Sequence, residues 1–245
     1  MLTPTLRKAA SFAAFLLFLS GPCAVALASV TVSPVIVHLS DKHSKDIIRI
    51  SNGSEQPKSF QVDIVSWSQT DEERESYSPT DDLLVVPPLF TLEAGETQVV
   101  RIGLMRGTEM DRELSYRIFF TELAPPQPDS ADVTGISMRM RLGIPIFVKP
   151  GNPALASIDF VQQKTIEGQL YMQLKNTGNV HVKINEVHYQ AATAVDKEVT
   201  PTVFYLLPGT TGYLPVTQPN RNTGGTVTLV TDTAGNLEYE LAGSQ

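Results

Sequence analysis

The sequence predicts an all-β protein built as two β-sandwiches in tandem, and three observations carry that expectation. Short runs of alternating apolar residues recur from Val30 onward, each bounded by Gly, Pro, Asn or Ser. No long stretch has the period of about 3.6 residues that marks an amphipathic helix. A short pattern, Phe90-x-Leu92-x-x-Gly95-x-Thr97, returns as Phe204-x-Leu206-x-x-Gly209-x-Thr211, as two similar units joined end to end would produce.

Residues 1–28 read as a signal peptide rather than as part of the fold. Arg7 and Lys8 give a positive start, Phe12 to Leu19 is a short apolar run, and Ala26-Leu27-Ala28 is a small-residue cleavage site. The run is too short to span a bilayer, and no later segment is apolar enough to do so. Leu19-Ser20-Gly21-Pro22-Cys23 has some likeness to a lipid-attachment site, but Pro22 stands where a small residue is usual. Cys23, the single cysteine, leaves with this segment. The mature chain, Ser29 to Gln245, therefore has no disulfide, no thiolate metal site and no cysteine nucleophile.

The strands follow in order. Val30, Val32, Pro34 and Ile36 alternate with Thr31, Ser33 and Val35, as one strand would. Ile48 and Ile50 lead into a turn at Asn52-Gly53, where the Asn52-Gly53-Ser54 glycosylation sequon is read simply as turn chemistry. Phe60, Val62 and Ile64 form the next alternating set, then Val100, Ile102 and Leu104, then Tyr116, Ile118 and Phe120. Thr70 to Asp82, polar and acidic with Pro79, and Ala124 to Gly135, with Pro125, Pro126 and Pro128, read as loops. Lys149-Pro150-Gly151-Asn152-Pro153 ends one strand system and opens another, which gives domains at 29–149 and 150–245. After it, Asn176 precedes a Thr177-Gly178 turn and then Val180, Val182 and Ile184, much as Asn52 precedes its own turn and Phe60, Val62 and Ile64.

The chemistry is sparse. Acidic side chains outnumber basic ones, 26 to 19, for a net charge of −7, the wrong balance for gripping a phosphate backbone. His38, His43, His181 and His188 lack metal-site spacing and read as exposed strand or turn residues. Asp71, Glu72 and Glu73 read as a solvated loop. There is no nucleophile elbow, phosphate-binding loop or dinucleotide fingerprint, so no catalysis, cofactor or metal is expected. One segment does stand out. Period 2 puts Ile136, Met138, Met140, Leu142 and Ile144 on one strand face, with Ser137, Arg139, Arg141, Gly143 and Pro145 on the other. A core strand would show the same pattern. The methionines, which adapt to varied partners, and the Pro-rich loop before them point instead to a strand whose start is free.

Several stretches in a fixed order carry a resemblance. They are Pro87-Pro88-Leu89-Phe90-Thr91-Leu92-Glu93-Ala94-Gly95-Glu96, Gln98-Val99-Val100-Arg101-Ile102, Tyr116-Arg117, Glu122-Leu123-Ala124-Pro125-Pro126 and Ile144-Pro145-Ile146-Phe147. Through them the mature chain resembles the PapD-like periplasmic chaperones of the chaperone–usher pathway. The second half resembles them loosely, through the Asn176-Thr177-Gly178 and Pro208-Gly209 turns. The resemblance implies two immunoglobulin-like sandwiches meeting in an L. It also implies an ATP-independent, non-enzymatic holder of pilus subunits that passes them to an outer-membrane usher. In such complexes the chaperone lends a strand to the subunit, a known form of β-augmentation, and here Ile136, Met138, Met140 and Leu142 would be the lent side chains. The basic residues that usually grip the subunit's terminal carboxylate fall on Ile36 and Pro145. Tyr116-Arg117 with Arg141 and Ile144-Pro145 resembles the archaic branch, which makes Arg117 the anchor, with Arg141 second. A tie between domains from Glu113 to Lys149 is implied as well. Self-capping of the free protein as an oligomer is compatible with the same strand. The alternative, a secreted adhesin or pilus subunit, would carry an N-terminal donor extension, whereas a strand pattern begins here at Val30. A secreted β-sandwich hydrolase lacks a visible catalytic cluster.

Overall fold

A computed structural model of the chain describes residues 30–70, 75–124, 138–194, 196–217 and 224–243. Residues 1–28, expected above to be a signal peptide, Asp71 to Glu73, the expected loop from Pro125 to Gly135 and Ile136 lie outside these residues. Ten strands form the first half: β1 (Val30–Ser33), β2 (Val37–Leu39), β3 (Lys45–Asn52), β4 (Lys58–Ser68), β5 (Ser76–Pro79), β6 (Leu83–Val86), β7 (Leu89–Leu92), β8 (Thr97–Leu104), β9 (Leu114–Glu122) and β10 (Arg141–Val148). One sheet has the order β1-β3-β8-β6, and the other β2-β10-β9-β4 with β5 and β7 both on β4. The second half holds β11 (Ile158–Ile166), β12 (Gln169–Asn176), β13 (Val182–Ala191), β14 (Glu198–Leu206), β15 (Thr211–Val216), β16 (Gly225–Thr231) and β17 (Asn236–Leu241). These make sheets β11-β12-β15 and β14-β13-β16-β17. The described residues contain no helix, and so none long and apolar enough to cross a membrane.

Period-2 alternation explains both cores, because every second side chain of a strand faces the opposite sheet. Ile48, Ile50, Phe60, Val62, Val100, Ile102, Tyr116, Ile118, Phe120, Ile144 and Ile146 fill the first core. Met172, Leu174, Val182, Ile184, Phe204, Leu206, Leu214 and Val227 fill the second.

Two expectations change. The run from Val30 to Ile36 is not one strand. β1 pairs with β3 in one sheet, whereas β2 begins at Val37 and pairs with β10 in the other. Pro34 has no N–H to continue a ladder, and the chain switches sheets there. Thr70 to Asp82 is not all loop either, since β5 lies on β4 with Tyr77 opposite Trp67. β5 is an edge strand, where a proline such as Pro79 is tolerated.

The internal repeat has a physical basis. Asn52 is buried, its Nδ2 donates to the carbonyls of Gln56, Leu92 and Glu93 at 2.8, 3.1 and 3.2 Å, and its Oδ1 accepts from Ser54 N–H at 3.0 Å. Asn176, also buried, donates to Val180 and Leu206 carbonyls, both at 2.9 Å, and accepts from Gly178 N–H at 2.9 Å. Each main-chain carbonyl then takes the N–H of a glycine at φ 75°, Gly95 in one sandwich and Gly209 in the other. Only glycine occupies that region freely. A buried amide thus staples one strand end to the facing hairpin in each half, and the sequon asparagine is a structural side chain.

The two halves meet through Trp67, Phe147 and Leu207, with Ile36 and Tyr205 packed against them. Gln69 ties the junction with both ends of its amide. It donates to Tyr205 O at 2.9 Å and accepts from Leu207 N–H at 2.9 Å and Thr210 O–H at 3.1 Å.

Candidate functional site

β10 is paired unequally on its two sides. β9 runs along all of it, from Arg141 opposite Thr121 to Val148 opposite Leu114. β2 covers only Ile146 to Val148. Arg141 to Pro145 therefore present a main-chain edge with no ladder partner among the described residues.

The apolar stripe of this strand leaves the core along its length. Ile146 and Val148 are fully buried and Ile144 is 5% exposed, Leu142 is half-buried against the core, and Met138 is 89% exposed. Leu142 marks where the stripe stops serving its own sandwich. The head of the strand is held by Glu122, whose N–H donates to Met140 O at 2.8 Å and whose Oε2 accepts from Met140 N–H at 3.3 Å. Lys58 pairs with the same carboxylate.

The opposite face of this sheet carries an aromatic and cationic row. The guanidinium of Arg141 lies 3.9 Å from the Phe119 ring centre, and Phe119 meets Tyr77 edge-on at 5.4 Å. The Arg117 guanidinium lies 4.2 Å from the Trp67 ring and 5.6 Å from that of Tyr77. Gly143 permits the row to cross β10, because a Cβ there would meet Phe119 Cε1 at 2.8 Å and Arg117 Cδ at 3.1 Å. Arg117 Nη1 donates to Glu75 Oε1 at 2.9 Å and to the Tyr77 hydroxyl at 2.7 Å, and that hydroxyl donates to Glu75 Oε2 at 2.6 Å. Burial, with the hydrogen bond to Glu75, pushes the Tyr77 phenol up to about 12, so it remains a donor. The Arg117 side chain is 14% exposed against 45% for Glu75. Its Nε is buried with no partner among the described residues.

Residues 29–154 match the family model of the pili and flagellar-assembly chaperones, PapD N-terminal domain. The chain belongs to that family. Solved structures agree in fold, with two immunoglobulin-like sandwiches. A chaperone from a chaperone–tip adhesion subunit pre-assembly complex of the archaic Csu pili of Acinetobacter baumannii is 17% identical, with a TM-score of 0.63 over 89% of this chain and 100% of the other. The Salmonella enterica SafA pilin–SafB chaperone complex gives 18% identity and a TM-score of 0.56 over 89% and 99%. The class 5 fimbriae chaperone CfaA gives 17% and 0.54 over 88% and 100%. No curated protein matches the chain.

In this chaperone the two places where relatives are expected to carry a base are apolar and occupied. Ile36 packs into the junction with Trp67, Phe147 and Leu207, and Pro145 is buried. Arg117 stands directly opposite Pro145 in the β9–β10 ladder. Arg141 lies four residues away from Pro145, exposed at the strand head and in no ion pair among the described residues.

The expected Glu113–Lys149 tie is not what forms. Glu113 is 5% exposed, and its Oε1 takes the backbone N–H of His181 at 3.0 Å and the ring Nδ1 at 2.7 Å. Lys149 lines the same cleft but stays exposed, with no ion pair to Glu113. His181 is likewise not an exposed histidine. It is 3% exposed and stacks on Phe147 with ring centres 3.5 Å apart. Burial and the neighbouring His181 lower the pKa of His38, which faces the same cleft. Sequence reasoning missed Glu75, Tyr77 and His181. The first two sat inside an apparent acidic loop, and the last finds its partner 68 residues away.

Proposed function

We propose that the protein holds pilus subunits in the periplasm by lending them the head of β10, catalyses no reaction, and passes its cargo to an outer-membrane usher. Family membership supports the class of activity, and one observation carries the mechanism: among the described residues Arg141 to Pro145 form an open edge that runs on into exposed Met138. An unpaired edge is a template for a further strand, and its main-chain groups supply affinity while alternate side chains supply fit. Met138 and Met140, with Ile136 before them and the outer part of Leu142, would plug the subunit's groove. Arg117 would anchor the subunit's terminal carboxylate and so set the register, since a slip of one residue would turn every lent side chain away. Residues 1–28 serve as the export signal, with working domains at 29–149 and 150–245.

The reading is tested by co-expressing the protein with the subunit encoded beside it and measuring capture. Met138→Asp should abolish co-purification, because an unpaired charge in an apolar groove is costly, while Arg139→Ser on the other face should retain most of it. Equal capture by wild type and Met138→Asp would overturn the mechanism.

A further inference from the structure

We infer that Arg117 and Tyr77 together form a two-donor carboxylate receptor that the free protein fills with its own Glu75, so that a subunit's terminal carboxylate enters by exchange with this side chain. This rests on the strand-lending reading above and adds the ligand's competitor and a second binding residue to it.

The geometry is that of a bound carboxylate. Each oxygen of Glu75 takes one donor, Oε1 from Arg117 Nη1 at 2.9 Å and Oε2 from the Tyr77 hydroxyl at 2.6 Å. Arg117 and the Tyr77 hydroxyl are themselves linked at 2.7 Å, which fixes the spacing between the donors. A chain terminus presents the same two oxygens.

Burial separates the permanent parts from the exchangeable one. The Arg117 side chain is 14% exposed and lies over Trp67, so leaving its charge without a counter-ion is unfavourable. Glu75 is 45% exposed, at the head of an edge strand, and returns to water easily. Swapping one carboxylate for another also leaves the charge of the site unchanged. The internal contact is incomplete as well. Glu75 reaches the guanidinium through one nitrogen, and among the described residues Nε stays buried without a partner. A ligand free of the β5 backbone can settle on the guanidinium as a two-toothed fork, the stronger arrangement.

Selectivity follows. A free carboxylate displaces Glu75, whereas a C-terminal amide offers no charge and leaves Glu75 in place. Affinity is reduced by the fraction of molecules in which Glu75 occupies the receptor.

Trp67 is the only tryptophan and lies under the Arg117 guanidinium, so its fluorescence reads the site. The full mature protein is titrated with acetyl-Val-Thr-Val-Phe as the free acid and as the amide, in wild type, Glu75→Gln and Arg117→Ala. Glu75→Gln should bind the acid about fivefold more tightly than wild type, the ratio expected for losing a partly exposed internal competitor. The amide should bind both equally weakly. Equal acid affinity in wild type and Glu75→Gln, or no acid-specific response in Glu75→Gln, overturns the inference. Arg117→Ala separates the two levels. If it loses acid-over-amide preference while Glu75→Gln behaves as wild type, the anchor stands and the exchange fails. If Arg117→Ala keeps the wild-type preference, the anchor itself is wrong.

Discussion

Glu113 and His181 meet across the junction of the two sandwiches, Oε1 to Nδ1 at 2.7 Å, with side chains 3% and 4% exposed. The same oxygen takes the His181 backbone N–H, and the imidazole lies flat on Phe147. Main-chain contact supports the pair, since Glu113 N–H donates to Asn179 O at 2.8 Å. Either Glu113→Ala or His181→Ala leaves a buried polar group short of a partner, at a cost of about 1–3 kcal/mol. Urea unfolding of both single variants and the double variant should show the double costing clearly less than the sum, as expected for residues that share one interaction. Strictly additive losses would mean the pair does not couple the halves.

A second expectation concerns pH. The Tyr116 hydroxyl donates to Asp82 Oδ2 at 2.7 Å, and Arg106 lies 3.2 Å from the same oxygen. Burial alone would raise the pKa of Asp82, but the hydrogen bonds from Tyr116 and Arg106 outweigh it and hold the carboxyl below 3.8. The stability from this group is therefore complete above 3.8 and is lost as pH falls through the lower folded value. Tyr116 shows the reverse. Burial and the Asp82 acceptor raise its phenol above 10, so its contribution is complete below 10 and is lost as pH climbs toward the folded value. Asp82→Ala should cost about 1–3 kcal/mol at neutral pH by stranding the buried hydroxyl. It should also flatten the acid limb of a plot of melting temperature against pH.

Glycine substitutions separate two kinds of close approach. Gly143→Ala would drive a methyl toward the Phe119 ring and Arg117 Cδ, side chains that can give a little, for an expected loss of about 1–3 kcal/mol. Gly178→Ala would place its methyl 2.1 Å from Leu155 O and 2.8 Å from Ser157 N, which are main-chain atoms and cannot step aside. The second variant should melt well below the first, and the reverse order would contradict the packing described.

Leu142 in β10 and Met138 just before it share the apolar stripe, yet the same mutation should have opposite meanings at the two. Leu142→Asp puts a charge against the core and should cost about 2 kcal/mol or more of folding stability. Met138→Asp, at an 89% exposed position, should change it by less than about 0.5 kcal/mol. Thermal melts of the two purified variants check this directly.

Much of the architecture was legible because period-2 patterning is a local property. Phe60 with Val62, Tyr116 with Ile118 and Phe120, and Ile144 with Ile146 each show their buried face within a few residues, and the structure puts all seven in one core. The Asn and Gly positions of the repeat were also legible, although not the amide staple that makes them necessary. Contacts between distant segments were not. Gln69 reaches Leu207 across 138 residues and Glu113 reaches His181 across 68, and nothing in either neighbourhood announces its partner. β5 was hidden for another reason. Its few residues follow an acidic run and end in Pro79, so composition resembles a loop. Only its pairing along β4, from Ser76 opposite Ser68 to Pro79 opposite Val65, makes it a strand and brings Glu75 to Arg117.

The eight-residue ladder between β10 and β9 has a mechanical consequence. A pull along the axis of β10 loads all of its cross-strand bonds together in shear, and Phe147 and Val148 brace its far end in the junction and the first core. A pull that peels the strand from the Met138 end meets the bonds one at a time, beginning with the pair around Glu122 and Met140. The strand therefore resists tension but yields to unzipping, and whatever removes a load from it does so with least force by starting at its head.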